Sequence, residues 1–163
     1  MANSGFQIRR AEDRDVFAIA DIWYQLMEEH VERDPGYWGV VQEEEARRIY
    51  REANANMLAR SDHITLVAEQ EGLVVGFVNG FRLTRPPMFE KTAVGRINDI
   101  AVDRDHRRQG VGHLLLEAIF EEFDKMGFEY IDLTVDRDNV EAIEFYQSMG
   151  FTSRELHLIK RIV

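Results

Sequence analysis

Apolar residues recur along the chain with two periods, and the period switches at each turn signal. Phe6 and Ile8 alternate with polar neighbours, which predicts a short strand over 6–10. After Glu12-Asp13, the positions Val16, Ile19, Ala20, Trp23, Leu26 and Met27 recur at helical spacing until Asp34-Pro35-Gly36 breaks the pattern. A second helix is expected over 42–60. A hairpin follows, with one arm over 64–69, a turn at Glu71-Gly72 and a long arm over 73–83 that ends at Arg85-Pro86-Pro87. The run 95–102 reads as the next strand. Behind it, Val111, Leu114, Leu115, Ala118, Ile119, Phe123 and Met126 form one helical stripe that stops at Gly127. A strand over 129–135 precedes a short helix capped by Asn139 and closed by Gly150. From Phe151 to the end, Leu156, Leu158 and Ile162 alternate with polar residues, so a last strand is expected. The order is β-α-α-β-β-β-α-β-α-β, an α/β layer structure with a mixed sheet.

No repeat, linker or low-complexity stretch divides these elements, so 1–163 reads as a single domain large enough for a real core. A content of 45% hydrophobic and 31% charged residues places the chain among globular proteins rather than disordered ones. No apolar run is long enough to span a membrane, and residues 1–6 lack the basic and apolar regions of a secretory leader. Cysteine is absent, which excludes a disulfide framework, thiolate catalysis and thiolate-bound metal, and fits a cytoplasmic protein. Twenty basic against thirty acidic residues give a net charge of −10, so nucleic acid is repelled and cationic partners such as amines are attracted.

Against that acidic background one basic segment stands out. Arg104, His106, Arg107 and Arg108 lead into Gln109-Gly110-Val111-Gly112, between the strand over 95–102 and the amphipathic helix. A helix N-terminus presents unpaired N–H groups and a partial positive charge, and glycine lets an anion approach that backbone. The segment therefore reads as a phosphate-cradling turn. No Gly-Lys-[Ser/Thr] follows Gly110, and a third glycine is missing, which argues against nucleotide and dinucleotide loops.

The pattern [Gln/Arg]-x-x-Gly-x-[Gly/Ala] after a strand resembles the acyl-CoA pyrophosphate loop of the GNAT superfamily of N-acetyltransferases. A second segment, Asn139-Val-Glu-Ala142-Ile-Glu-Phe145-Tyr146-Gln-Ser-Met-Gly150-Phe151, resembles that superfamily's Asn-x-x-Ala-x-x-Phe-Tyr-x-x-x-Gly-Phe signature. The element order is similar to the GNAT fold throughout, while the specificity of the resemblance lies between about Gly95 and Phe151. It implies acetyl-CoA, or another acyl-CoA, as donor and a primary amine as acceptor. It implies that Ile100 and Val102 offer backbone partners to the pantetheine arm, that Arg107, Arg108, Gln109, Gly110, Val111 and Gly112 hold the pyrophosphate, and that Asn139 reaches the pantetheine or the sulfur side.

Tyr146 is the expected general acid for the departing thiolate, two helical turns after Asn139. It also lies near the Ala142/Ile143/Met149 stripe and can simply pack. Asp99 is the expected base, directly or through water, with a structural hydrogen-bonding role as the alternative. Strand alternation puts Asn98 and Asp99 on opposite faces, so only one of them is expected to face the amine. Some relatives carry a Glu where Asn98 stands. Glu28, Glu32 and Asp34, with Tyr24, Tyr37 and Trp38, suit a cationic amine or else form a solvated helix end. The five histidines lack metal-ligand spacing, and Asp136-Arg-Asp138-Asn139 lacks the Gly and Glu of a calcium loop, so no metal is expected.

The expected activity is acetyl transfer from acetyl-CoA to a primary amine by direct attack in a ternary complex, with a small cationic acceptor favoured. Protein N-terminal or lysine acetylation, and a non-catalytic acyl-CoA-binding regulatory module, are the alternatives. The segment after Phe151 is short for the two closing strands usual in that superfamily, so a homodimer is expected to cover the exposed sheet edge.

Overall fold

The computed structural model describes residues 5–90 and 93–162. Met1 to Ser4, part of the segment expected not to be a leader, and Val163 lie outside the described residues. The elements are β1 (Gln7–Arg10), α1 (Val16–Arg33), α2 (Glu43–Leu58), β2 (His63–Gln70), β3 (Leu73–Thr84), β4 (Ala93–Val102), α3 (Val111–Lys125), β5 (Ile131–Asp132) and α4 (Val140–Ser148). Short 3₁₀ turns at Asp13–Asp15 and Arg104–His106 lead into α1 and towards α3.

The strands form one sheet in the order β1-β2-β3-β4-β5, antiparallel except for the parallel β4–β5 pair. Alternation along β2 and β3 divides the interior in two. Leu66, Ala68 and Val78 join α3 on one face, where Phe145 and Tyr146 of α4 and Met149 just after it also pack. Val67 and Phe77 point the other way, to Ile19 and Ala20 of α1 and Tyr50 of α2. The resulting two helical layers around a mixed sheet are the α/β architecture that the periodicity predicts.

Turn chemistry fixes the joints. Glu71 and Gly72 both adopt positive φ, 53° and 83°, which suits the right-handed twist of a tight hairpin. Gly127 and Gly150 close α3 and α4 in the left-handed region, and the Phe128 and Phe151 amides donate back to the Phe123 and Tyr146 carbonyls. α3 sits very close to the sheet: a Cβ at Gly95 would lie 2.7 Å from the Phe123 ring. Leu116, not Leu114, completes the buried row of α3.

The expected last strand does not form a ladder among the described residues. The segment after Phe151 is extended and exposed, with Leu156, Leu158 and Ile162 at 74%, 80% and 90% of full exposure. Alternation gives a segment two faces, but a strand also needs a neighbour whose N–H and C=O groups it can meet.

Candidate active site

β4 and β5 stay paired for only two residues, Gly95 with Ile131 and Arg96 with Asp132. The Arg96 guanidinium donates to the Asp132 carboxylate at 2.8 Å and pins that junction. Beyond it the strands part. The edge of β4 from Ile97 to Val102 has no β5 partner, as a splayed sheet requires, and its backbone groups face the gap. A cleft of about 80 Å³ opens there, lined by Leu26 and His30 of α1, Asn98, Asp99 and Ile100 of β4, and Asn139, Ala142 and Tyr146 around α4. Both helical layers reach it because the sheet between them is interrupted. A larger hollow of about 300 Å³ between β1 and α3 lies away from these residues.

Asp99 sits at an irregularity. Asn79 faces Asp99 across the β3–β4 ladder, whereas the next residue of β3, Gly80, faces Ile97, so Asn98 is the extra residue of a bulge. The bulge overturns the expected alternation. Asn98 and Asp99 both line the cleft, and the Asn98 amide donates to Asp99 Oδ2 at 2.7 Å. That same oxygen accepts from the Tyr50 hydroxyl at 2.8 Å and from Asn79 Nδ2 at 3.2 Å. A carboxylate oxygen has about two lone-pair directions, so Oδ2 is saturated and any acceptor amine must use Oδ1. Tyr50, which sequence reasoning missed, stacks on Trp23 at 4.0 Å. Burial, then the Asp99 charge, holds its phenol well above the ordinary tyrosine range, so it remains a donor to Asp99.

Tyr146 lines the cleft from α4, and its ring packs edge-on against Phe151. Burial, followed by the nearby Asp99 charge, pushes its phenol up to about 12. The group is therefore protonated throughout the neutral range. Asn139 begins α4 and its Oδ1 accepts the Ala142 amide at 3.3 Å, so this side chain is already engaged as a helix cap.

The basic turn is built differently from its reading in sequence. Arg104 and Arg107 fold back on the end of α1. Arg107 Nη1 pairs with Glu29 at 2.7 Å while its Nε donates to the Val102 carbonyl, and Arg104 pairs with Glu28 at 3.1 Å. His106 is held by Asp103 at 2.9 Å. Arg108, in the left-handed region at φ 59°, keeps an exposed guanidinium that, among the described residues, has an acidic neighbour in Glu141 at 3.7 Å. The Gln109 side chain closes the turn on the Asp105 carbonyl at 3.2 Å. Gly110 adopts φ 85° immediately before α3, and a Cβ there would meet nothing within 4 Å, so its front face is open. The first helical bond runs from the Leu114 amide to the Gly110 carbonyl, which leaves the amides of residues 111–113 without intrahelical partners. Val111 buries its side chain and offers only its backbone, while a Cβ at Gly112 would press on Phe145 of α4 at 3.4 Å. An anion here would meet backbone N–H groups and Arg108 rather than four cations.

The acidic and aromatic residues at the end of α1 are dispersed. Glu28 is taken by Arg104, Tyr24 lies under Arg47, and Asp34 accepts the Gly36 and Tyr37 amides of the turn after α1. Trp38 instead stacks on His30 at 4.6 Å. His30 Nδ1 lies 2.9 Å from Asp136 Oδ2, a pair that sequence reasoning also missed. Among the described residues no group of three or more His, Cys, Asp or Glu could hold a metal ion, and no helix is long and apolar enough to cross a membrane.

Residues 20–151 match the acetyltransferase (GNAT) family. An uncharacterized N-acetyltransferase of Methanocaldococcus jannaschii is 34% identical over 111 residues, covering 65% of this chain and 49% of that protein. The [ribosomal protein bS18]-alanine N-acetyltransferase of Escherichia coli is 38% identical over 76 residues, 47% of this chain and 49% of the enzyme. The chain thus spans about half the length of these curated relatives. A tetramutant of the BH1408 protein from Bacillus halodurans shares the fold, with a TM-score of 0.86 at 21% identity over 96% of this chain and 99% of that one. With the family match extending over most of its length and the splayed β4–β5 cleft at its centre, the chain belongs to the GNAT family of acetyltransferases.

Proposed function

We propose that this protein transfers an acetyl group from acetyl-CoA to a primary amine by direct attack within a ternary complex. The observation that carries this reading is the placement of the glycine-bearing N-terminus of α3 and the protonated Tyr146 at one splayed sheet junction. The pyrophosphate lies on the amides following Gly110, with Arg108 and Gln109 at the rim. The pantetheine runs along the free edge of β4 past Ile100 and Val102, as an added strand would. The thioester then enters the cleft between Tyr146 and Asp99, with Asn139 holding the first turn of α4 in place.

Asp99 meets the amine through Oδ1, while Tyr50, Asn79 and Asn98 hold the carboxylate still through Oδ2. Its charge suits a cationic acceptor, as does the net charge of −10. A polypeptide N-terminus is the second acceptor class, favoured by the match to an enzyme named for acetylating an alanine of a ribosomal protein. The test is an acceptor screen with acetyl-CoA, read by thiol release, across small amines and short peptides. Acceptor-dependent release is expected. CoA binding with no release for any amine would favour a non-catalytic acyl-CoA-binding module.

Gly110→Asp should weaken CoA binding, because it places a negative charge in front of the amides that meet the pyrophosphate. A Cβ at this position meets nothing within 4 Å. Gly110→Asn carries the same shape and the same left-handed backbone cost without the charge. Calorimetry should therefore show near-normal CoA affinity for Asn and at least a roughly 10-fold loss for Asp, the scale of one charge-assisted contact. Equal affinities in the two variants would refute the anion site.

The exposed apolar residues after Phe151 and the open edge beyond β5 favour a homodimer in which these surfaces meet. Light scattering at micromolar concentration should give twice the mass of the chain. A monomer mass would refute the dimer.

A further inference from the structure

The cleft contains a titratable pair that belongs to neither signature segment. His30 lies in the last turn of α1 and Asp136 in the loop between β5 and α4, 106 residues apart in sequence. Their side chains meet at 2.9 Å, Nδ1 to Oδ2, with 16% and 31% of their surface exposed. Both line the same cleft as Asn98, Asp99 and Tyr146. An ionised carboxylate only accepts hydrogen bonds, so the proton of the neutral imidazole sits on Nδ1. That tautomer leaves a lone pair on Nε2, and among the described residues Nε2 has no hydrogen-bond partner. Stacking on Trp38 fixes the ring plane. Arg33 Nη2 also lies 3.3 Å from Nδ1; a guanidinium only donates, so this longer contact is not a hydrogen bond once Nδ1 carries the proton for Asp136 at 2.9 Å.

We infer that His30 is the base that takes the proton of the acceptor amine, and that Asp136 is a positioning residue that sets its tautomer. This rests on the acetyl-transfer reading above. The amine nitrogen bonds to the thioester carbon and its proton passes to His30 Nε2. The C–S bond then breaks with its electron pair on sulfur, which leaves as the CoA thiol after gaining one proton. His30 returns its proton to solvent. A carboxylate that fixes a histidine through one nitrogen and frees the other for proton transfer is a recurrent arrangement in acyl-transfer enzymes. Asp99, the other candidate in the cleft, has one oxygen filled by three donors and faces the amine as an anion.

The experiment compares the intact wild-type chain with His30→Gln, Asp136→Asn and Asp99→Asn. The probes are acetyl-CoA with putrescine and a short peptide bearing an N-terminal alanine. The glutamine amide can still donate to Asp136, so His30→Gln keeps the tie between α1 and the β5–α4 loop. It should leave Tm and CoA affinity unchanged, lower kcat/KM by roughly 10²-fold, and remove one proton from the acidic fall of kcat/KM. Asp136→Asn should lower kcat/KM as well, because an amide that donates to Nδ1 moves the imidazole proton to Nε2. The inference is overturned if His30→Gln stays within about twofold of wild type with the same pH profile, or if the proton disappears from the profile of Asp99→Asn instead. A wild type that binds CoA yet releases no thiol with either probe would overturn the acetyl-transfer reading itself, and this inference with it.

Discussion

Replacing Tyr146 by Phe should lower kcat about 10²-fold while leaving CoA affinity and the fold intact. The size follows from the protonation of the phenol. Burial and the Asp99 charge hold it up to about 12, whereas a cysteine thiol, taken as the stand-in for that of CoA, titrates at roughly 8.5. Complete proton transfer from Tyr146 to the thiolate would be uphill by roughly 3.5 pK units, or about 5 kcal/mol. In the proposed reaction the hydroxyl would therefore act by hydrogen-bonding the charge that develops on sulfur, with solvent supplying the final proton. A hydrogen bond to a charged group contributes about 1.5–3 kcal/mol, and its upper range corresponds to roughly a 10²-fold change in rate. Because the bond strengthens only as the C–S bond breaks, the loss falls on kcat rather than on donor binding. The ring contacts with Phe145 and Phe151 survive in the variant. Single-turnover rates are the proper measurement, since product release can hide a chemical defect. An unchanged single-turnover rate would reduce Tyr146 to a packing residue.

Local rules carried the reading of the chain as far as the chemistry is local. The glycines that close α3 and α4 and the Asn139 cap are specified by their own neighbours, and all three adopt the geometry that their type and position predict. The glycine turn at the start of α3 is legible for the same reason, because helix start, glycine and preceding strand are contiguous. What the sequence hid depends on partners from elsewhere. Period 2 along β4 places Asn98 and Asp99 on opposite faces, but the bulge arises from the register with β3 and brings both to one cleft. The cations of the basic turn look free in sequence, and Glu28 and Glu29, some 75 residues earlier, take two of them. His30 and Asp136 carry no motif at all: one reads as a helix end and the other as part of an incomplete calcium loop. Their only signal is spatial, since the end of α1 and the loop after β5 converge where the sheet splits. The alternating tail failed in the opposite sense, as a local pattern without a partner.

The largest stability effect should come from Arg9, on the sheet edge opposite the cleft. Its guanidinium donates to both Asp15 oxygens, at 2.7 and 2.9 Å, and to Glu69 at 2.6 Å. Asp15 also accepts the Glu12 amide at 2.8 Å and is only 4% exposed. The cluster ties β1 and β2 to the start of α1, the helix that carries His30. Arg9→Met keeps most of the stem but leaves two carboxylates facing each other, one of them buried. Removing one partner of such a group costs about 3–5 kcal/mol, and the partial exposure of Glu69 places the expectation near the lower end, about 3 kcal/mol by urea unfolding at pH 7. The pH dependence gives the sharper test. Burial tends to raise the Asp15 carboxyl, but the Arg9 hydrogen bonds, the Glu12 amide and the Arg9 charge together hold it below the ordinary aspartate range. A depressed carboxyl contributes stability that is complete above the unfolded value, roughly 3.9, and is lost as pH falls through the lower folded value. In Arg9→Met the Arg9 hydrogen bonds and charge are gone and only the Glu12 amide and the Arg14 charge still oppose burial, so the folded carboxyl moves up and the dependence of stability on its ionisation weakens. Acidification from pH 7 to about 3 should therefore destabilise the wild type more than the variant, so that the difference between their urea midpoints narrows. A difference that stays constant across that range would mean that Arg9 acts through packing of its stem and not through the Asp15 charge.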